Sequence, residues 1–186
     1  MPIKPYNTLF IGKVLLHFPI LDSTNNHAAN LLAKSTPMEG TVIFTTHQVA
    51  GKGQYGSSWE SEAGKNITLS VILHPSFLAV HHQFMLNKAI ALGIFDMICQ
   101  YINPSRVYLK WPNDLYIDNK KVGGILIQNS LKGSQINNSI IGIGLNINQT
   151  VFKGNAPNPT SFTLITGQSY SIDELCAYLY LSLIHI

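Results

Sequence analysis

Two short stretches hold most of the residues able to do chemistry. The first, "HQVAGKGQYGSSW" (47–59), sets Gly51, Gly53 and Gly56 around Lys52, with Gln48 before them and Trp59 after. Glycine lets a backbone approach a ligand closely, and successive N–H groups beside an ammonium can hold an anion. Trp59 adds a flat apolar face for a ring. The glycines literally satisfy G-x-G-x-x-G, but a dinucleotide fingerprint needs a helix opening at its third glycine and an acid ending the next strand. Here Gly56 runs into turn-rich "SSWESEAGKN", and the next strand ends at Leu73-His74 with no acid. A P-loop fails as well, because Lys52 is not in a G-K-[ST] frame. On residue types alone, a loop that closes over a ligand and a bare flexible turn both stay open.

The second stretch is "LKWPNDLYIDNKKVGGILIQ" (109–128). It places Lys110, Trp111, Pro112, Asn113 and Asp114 at a strand end, then Lys121, Gly123 and Gly124 on the returning strand of a hairpin. Lys120 supplies an ordinary solvated charge, which leaves Lys121 as the candidate for function. Lys110 reads equally well as a solvated strand lysine, and Trp111 as a core aromatic.

The elements around these stretches follow from periodicity. "KVLLHFPIL" is an apolar strand, Asp22-Ser23 a helix cap, and Ala28, Ala29, Leu31 and Leu32 the apolar positions of a short helix. "GTVIFTTHQ" and "NITLSVILHP" are β-branched strands, so the glycine loop joins two strands. "HHQFMLNKAIALGIFDMICQYI" has helical spacing and ends before Asn103-Pro104. "RVYLKWPNDLYID", "KKVGGILIQNS" and "NSIIGIGLNIN" add three or four strands, with turns at Asp118-Asn119 and Lys132-Gly133. Strands joined by short turns, with few crossover helices, imply an α+β fold: a mixed, largely antiparallel sheet with helices packed on one face. Residues 150–170, rich in Pro, Gly, Asn, Ser and Thr, read as a surface loop, after which "SIDELCAYLYL" restarts a capped helix.

Composition bounds the function. With 186 residues, 46% hydrophobic and 11% charged, the chain suits one globular core. No stretch approaches the roughly 18 apolar residues of a spanning helix, and no leader-like apolar region opens the chain, which points to a cytoplasmic protein without membrane contact. A net charge of +3, spread along the chain, lacks the basic stripe of a DNA binder. Cys99 and Cys176 lie in apolar helical runs without metal-ligand spacing, and the seven histidines form no H-E-x-x-H or H-x-H pattern. The ending "LSLIHI" reads as the translation of CTGTCTCTTATACACATC, a sequencing-adapter end. Residues 181–186 are therefore expected to be a non-native tail behind a catalytic domain spanning residues 1–180.

Together with "DSTNN" (22–26) and "GIGLNIN" (142–148), the two stretches closely resemble the biotin protein ligases, the K-W-P-N-D and K-x-x-G pair being the most specific part. The resemblance covers residues 14–148. It implies a fold similar to class II aminoacyl-tRNA synthetases. It also implies an enzyme that joins biotin to ATP, releases pyrophosphate, keeps biotinyl-5′-adenylate bound and passes biotin to a lysine of a carrier domain such as that of acetyl-CoA carboxylase.

By the family's pattern, Ser23, Thr24, Asn25 and Gln48 match positions lining a biotin pocket, with Gly51, Lys52, Gly53 and Gln54 as the closing loop. Ser23 also reads as the helix cap alone. Lys121 matches the lysine at the biotin carboxylate and the acyl phosphate, beside Gly124, and an ammonium there offsets repulsion between two anions. Trp59, Asn113 and Asn146 match positions holding adenine, although Trp59 also reads as core and Asn146 as a turn former. Asp114 matches a position near the phosphates, where it could help hold Mg²⁺, and it is the candidate base for the transfer step. Gly142 and Gly144 match glycines that leave room beside the strand.

The family's loop is usually G-R-G-R-x-G. Lys52 here keeps one charge without arginine's planar fork, and Gln54 removes the other. Only 22 residues precede Ser23, so the expectation is a ligase without the helix-turn-helix domain some relatives use as repressors, and hence without operator binding. The family's small C-terminal β-domain is likewise not expected, which keeps a biotin-binding fragment without catalysis as an alternative. Lipoate ligases, sharing fold and two-step logic, are the other alternative. A homodimer is compatible with all of these readings.

Overall fold

The structure, a computed structural model, describes residues 8–154 and 156–184. Strand β1 (Leu15–Leu21) leads into helix α1 (Thr24–Lys34), and β2 (Thr41–Gln48) returns parallel to β1, pairing Leu15 with Val42 and Leu21 with Gln48. A small ribbon follows, made of β3 (Gly51–Lys52) and β4 (Ser58–Trp59). Next come β5 (Ile67–Leu73), the long helix α2 (Gln83–Cys99), β6 (Val107–Lys110), β7 (Asp114–Ile117), β8 (Lys120–Lys132) and β9 (Gln135–Leu145). Helices α3 (Phe162–Thr166) and α4 (Ile172–Leu183) complete the order.

Seven strands form one sheet in the order β1-β2-β5-β9-β8-β7-β6, antiparallel at every pairing except β1 with β2. The mixed, largely antiparallel sheet expected from the sequence is therefore present. Its turns follow residue chemistry. Asp118 and Asn119, both at positive φ (47° and 63°), close the β7–β8 hairpin, and Gly133 (φ 62°) closes β8–β9.

Side chains alternate across the sheet, and the two faces have different covers. Val42, Phe44, Leu69, Val71, Ile141 and Ile143 point into a large core with Ile90, Ile94 and Met97 of α2 and Leu175 and Leu179 of α4. On α2 the buried residues Leu86, Ile90, Gly93, Ile94, Met97 and Ile98 form one stripe at helical spacing. Ile43, Ile72 and Ile140 point the other way, against Ala28 of α1. The expectation of helices on one face thus holds for α2 and α4 and fails for α1. Because α1 is the crossover of a parallel pair, it lies on the opposite side, where Ala28 meets those three isoleucines.

Two further expectations change. Residues 150–170 are not simply a surface loop, for Thr160, Ser161 and Phe162 are buried and α3 is capped by the Ser161 hydroxyl. Trp111 is 76% exposed rather than core, because the turn between β6 and β7 carries it past the sheet edge. Leu181 to Leu183, set apart on sequence grounds, form the last turn of α4, and Leu183 is buried near Gly93; His185 and Ile186 lie outside the described residues. Cys176 is buried and Cys99 half-buried. Burial raises Cys99 and pushes Cys176 up to about 12, so neither is a ready nucleophile. No helix among the described residues is long and apolar enough to cross a membrane.

Candidate functional site

The face that α1 covers at one end is open at the other, and a cavity of about 270 Å³ sits there. Its floor is glycine. Gly142 and Gly144 of β9 face Ser70 and Thr68 of β5, and Gly124 of β8 faces Gly144, so three neighbouring positions carry no side chain. The space they leave is used first by the protein itself. A Cβ on Gly142 would lie 2.4 Å from Asn25 Oδ1, and one on Gly144 would lie 2.5 Å from Trp59 Cε2. Asn25 and Trp59 are therefore seated on bare strand, and the ligand space is what remains beside them.

A β-bulge aims the lysine. Along β8, Gly124 faces the cavity, so plain alternation would turn Val122 toward the cavity and Lys121 toward the core. The register slips between Leu115 and Tyr116, pairing Leu115 with Gly123 and Tyr116 with Lys121. Val122 is fully buried in the α2 side of the core, and Lys121 is turned onto the cavity face. Its backbone is pinned from outside, with Lys121 N–H donating to Asn158 O (2.8 Å) and Thr160 N–H donating to Lys121 O (2.8 Å). The ammonium pairs with Asp114 Oδ1 at 2.7 Å and lies 5.9 Å from the centroid of Trp59, with both ion-pair side chains about one-fifth exposed (22% and 21%).

The helix start supplies fixed polar groups. Ser23 caps α1 through a long contact, Asn26 N–H donating to Ser23 Oγ at 3.5 Å, and the hydroxyl also lines the cavity. Gln48 Oε1 accepts from Thr24 N–H (2.9 Å). Behind them sits a network that sequence reasoning missed. Asn25 Nδ2 donates to Gln128 Oε1 (2.9 Å) and Leu126 O (3.3 Å), which fixes its amide orientation. Ser70 Oγ lies 2.7 Å from Asn25 Oδ1 and 2.8 Å from Thr24 Oγ1. An amide oxygen only accepts, so the single Ser70 proton goes to Asn25, and the Thr24 hydroxyl proton is shared between Ser70 Oγ (2.8 Å) and Gln48 Oε1 (3.3 Å). Thr24 Oγ1 then offers lone pairs to the cavity. A usable signal existed in "NITLSVIL": Thr68 and Ser70 put two hydroxyls at period two on one face of an otherwise apolar strand.

The glycine loop forms one wall. Gly51 is buried, because a Cβ there would meet Trp59 O at 2.4 Å and Gln48 Nε2 at 2.7 Å. Lys52, Gly53 and Gln54 line the cavity, and Tyr55 stands fully exposed at the tip in a left-handed conformation (φ 53°). The Lys52 ammonium donates to Asn26 Oδ1 (2.7 Å), whose Nδ2 donates to Asp22 Oδ2 (2.8 Å). That hydrogen bond from Asn26 leads the causes holding Asp22 below the usual carboxylate range.

Of the residues singled out by sequence, Ser23, Thr24, Gln48, Lys52, Gly53, Gln54, Trp59, Asn113, Asp114, Lys121, Gly124, Gly142 and Gly144 line this one cavity. Asn25 and Gly51 stand behind its wall. Asn113 also braces the hairpin, donating from Nδ2 to Ile125 O (2.8 Å). Asn146 lies in an adjoining concavity of about 470 Å³ that shares Trp59 and Lys121 with the first. Its Nδ2 donates to Thr160 O (3.0 Å), while Asn146 Oδ1 and Trp59 Nε1 are buried without a partner among the described residues. An unpaired buried acceptor and donor in one concavity suit a small polar ring. No cluster of three metal-ligating side chains occurs among the described residues.

The fold has solved counterparts. The biotin protein ligase from Aquifex aeolicus, in complex with biotin and ATP, superposes with a TM-score of 0.77 at 26% identity, over 93% of this chain and 69% of that one. The biotin protein ligase from Leishmania major, in complex with biotin, gives 0.76 at 22% identity over 92% and 73%, which speaks to the fold alone. The family model described as Biotin/lipoate A/B protein ligase family matches residues 17–146, and the chain belongs to that family.

Among curated relatives, the bifunctional ligase/repressor BirA of Bacillus subtilis (strain 168) is 34% identical over 146 residues, 76% of this chain and 43% of that protein. The biotin–[acetyl-CoA-carboxylase] ligase of Mycobacterium tuberculosis is 30% identical over 135 residues, 70% of this chain and 49% of that protein. The chain thus spans less than half the length of either.

Proposed function

We propose that the chain is a biotin protein ligase. It activates biotin with ATP to biotinyl-5′-adenylate and transfers the biotinyl group to one lysine of a biotin carboxyl carrier domain, as in acetyl-CoA carboxylase. The observation that carries this reading is the bulge-aimed Lys121 ammonium, sharing one cavity with Lys52, Trp59 and the hydroxyls of Ser23 and Thr24. A cyclic urea brings N–H donors, which the Thr24 lone pairs accept, whereas a dithiolane ring brings none.

In the first step a carboxylate oxygen of biotin bonds to the α-phosphorus of ATP, and pyrophosphate leaves with the electrons of the broken P–O bond. The carboxylate is already ionised at pH 7, so no base is required. Lys121 offsets the charge that accumulates as two anions meet, and Lys52 adds a second cation from the loop. Trp59, seated on Gly144, offers its indole face to adenine, and Asn146 Oδ1 supplies an acceptor for the base edge. Mg²⁺ commonly binds through one or two carboxylates plus substrate phosphates. Asp114 would supply that carboxylate, and the ion would neutralise phosphate charge. In transfer, the acceptor lysine, with a pKa of about 10.4, must shed a proton before its nitrogen attacks the acyl carbon and AMP leaves. Asp114 lines the cavity and is assigned that proton.

The deciding assay is pyrophosphate release from ATP with biotin and, separately, with lipoate. Release with biotin alone is expected. Release only with lipoate would assign the other branch of the family, and biotin binding without release would leave a binder. The loop gives a further expectation. Gln54→Arg should slow release of biotinyl-adenylate by roughly threefold to tenfold, because a charge-assisted hydrogen bond is stronger than a neutral one and a partly exposed loop weakens that gain. Stopped-flow displacement of a preformed adenylate reads this directly, and an unchanged off-rate would show that the loop cations do not hold the intermediate.

A further inference from the structure

The turn that carries Asn113 and Asp114 has two sides. One faces the cavity, and the other closes a groove of about 300 Å³ against α2, walled by Phe84 and Leu92 of the helix, by Leu109 of β6 and by Trp111 and Pro112 of the turn. Trp111 is 76% exposed, Leu92 54% and Leu109 40%, and the indole stands 6.1 Å from the ring of Phe84. Isolated exposed apolar side chains need no explanation, but three lining one concavity on a helix and a hairpin mark a contact surface. Two lysines flank it. Lys88 Nζ lies 5.6 Å from the Phe84 centroid and Lys110 Nζ 5.1 Å from the Tyr116 centroid. Neither is in an ion pair, the pairs among the described residues being Arg106–Asp118 and Lys121–Asp114. The one acid of the groove, Asp114, is already matched by Lys121, so the groove presents uncompensated positive charge.

We infer that this groove docks the acceptor protein of the transfer step, which seats an apolar side chain against Trp111 and sets carboxylates beside Lys88 and Lys110. The inference rests on the ligase reading proposed above. An acceptor lysine has only four methylenes with which to reach the cavity, so the body that carries it must stand at the mouth. Asn113 and Asp114 line both the groove and the cavity, which makes the groove that mouth's neighbour. Two further concavities that touch the cavity among the described residues are poorer seats for a protein. One is walled by the glycine loop, and the other holds the buried unpaired atoms of Trp59 and Asn146 and suits a small polar ligand. A projecting tryptophan on a rigid turn is also the residue type that dominates protein interfaces.

The test uses the full chain and, as probe, a biotin-free carrier domain of an acetyl-CoA carboxylase. Trp111→Ser and Leu92→Glu should each leave pyrophosphate release without acceptor unchanged, while the KM for the carrier domain and its Kd by calorimetry rise tenfold or more. Leu92→Glu stands on the helix wall, away from Asn113, so its effect is not a disturbance of the turn. Lys88→Glu should weaken binding and flatten its dependence on salt. Unchanged carrier Kd in both apolar variants, or no carrier binding by the parent chain, would overturn the docking site. Concentration-dependent dimerisation lost in Trp111→Ser, with carrier binding intact, would assign the groove to a second copy and overturn it too. A parent chain that binds the carrier through the groove but releases no pyrophosphate from biotin and ATP would overturn the ligase reading alone.

Discussion

Lys121→Ala should lower the rate of pyrophosphate release by about 10²- to 10³-fold while leaving the protein folded. Removing one preorganised group aimed at developing charge typically costs that much. The Lys121–Asp114 pair is only about one-fifth exposed, so its loss falls between that of a surface pair (roughly 0–1 kcal/mol) and that of a broken buried pair (roughly 3–5 kcal/mol). A cost of about 1–3 kcal/mol lowers Tm by about 2–12 °C for a domain of this size and leaves the protein folded at assay temperature. Lys121→Arg should recover only part of the rate, since the bulge aims a compact point charge and a guanidinium places its charge farther out with a planar fork. Single-turnover pyrophosphate release and thermal melting, measured on the same preparation, separate the two effects. An alanine variant retaining more than a tenth of the parent rate would remove Lys121 from the chemistry.

How much of this was legible depends on whether one residue or two elements decide the outcome. Strand positions, the cap at Ser23 and the hairpin turns at Asp118-Asn119 and Gly133 follow from local residue chemistry, and they stand where periodicity puts them. Motif composition also located most of the cavity lining. Orientation was not legible. Alternation from Gly124 would send Lys121 into the core, and only the slip opposite Tyr116 reverses it, a feature of strand pairing that leaves no mark in β8 alone. Trp111 looked like core because tryptophan usually is, and its exposure follows from the turn's position beyond the edge strand β6. The side on which α1 lies depends on the parallel pairing of β1 with β2 across the whole sheet. Glycines 142 and 144 were readable as clearances, but the occupants, Asn25 and Trp59, come from segments more than eighty residues away.

That last relation yields the other large expected effect, Gly144→Val. A Cβ at 144 would lie 2.5 Å from Trp59 Cε2 and 2.8 Å from both Cζ2 and Nε1, three atoms of one rigid ring. The ring must move off this position, and Trp59 belongs to β4, paired with Gly51 on the strand that starts the glycine loop. Displacing the indole therefore moves the adenine platform and the loop together. A misplacement of about 1 Å can cost about 10² in rate, so release of pyrophosphate should fall by at least that factor. Overpacking should also destabilise the fold by about 1–3 kcal/mol, even though valine is itself a better strand residue than glycine. The cause is separable from a general loss of stability. In a Trp111→Phe background the remaining tryptophan emission belongs to Trp59 and should shift toward that of solvated indole. Adding Trp59→Ala to Gly144→Val should restore much of the melting temperature without restoring the rate, the signature of two residues coupled through one contact. If the valine variant kept the parent rate and emission, Trp59 would not be held by Gly144, and the adenine subsite argued from that contact would lose its platform.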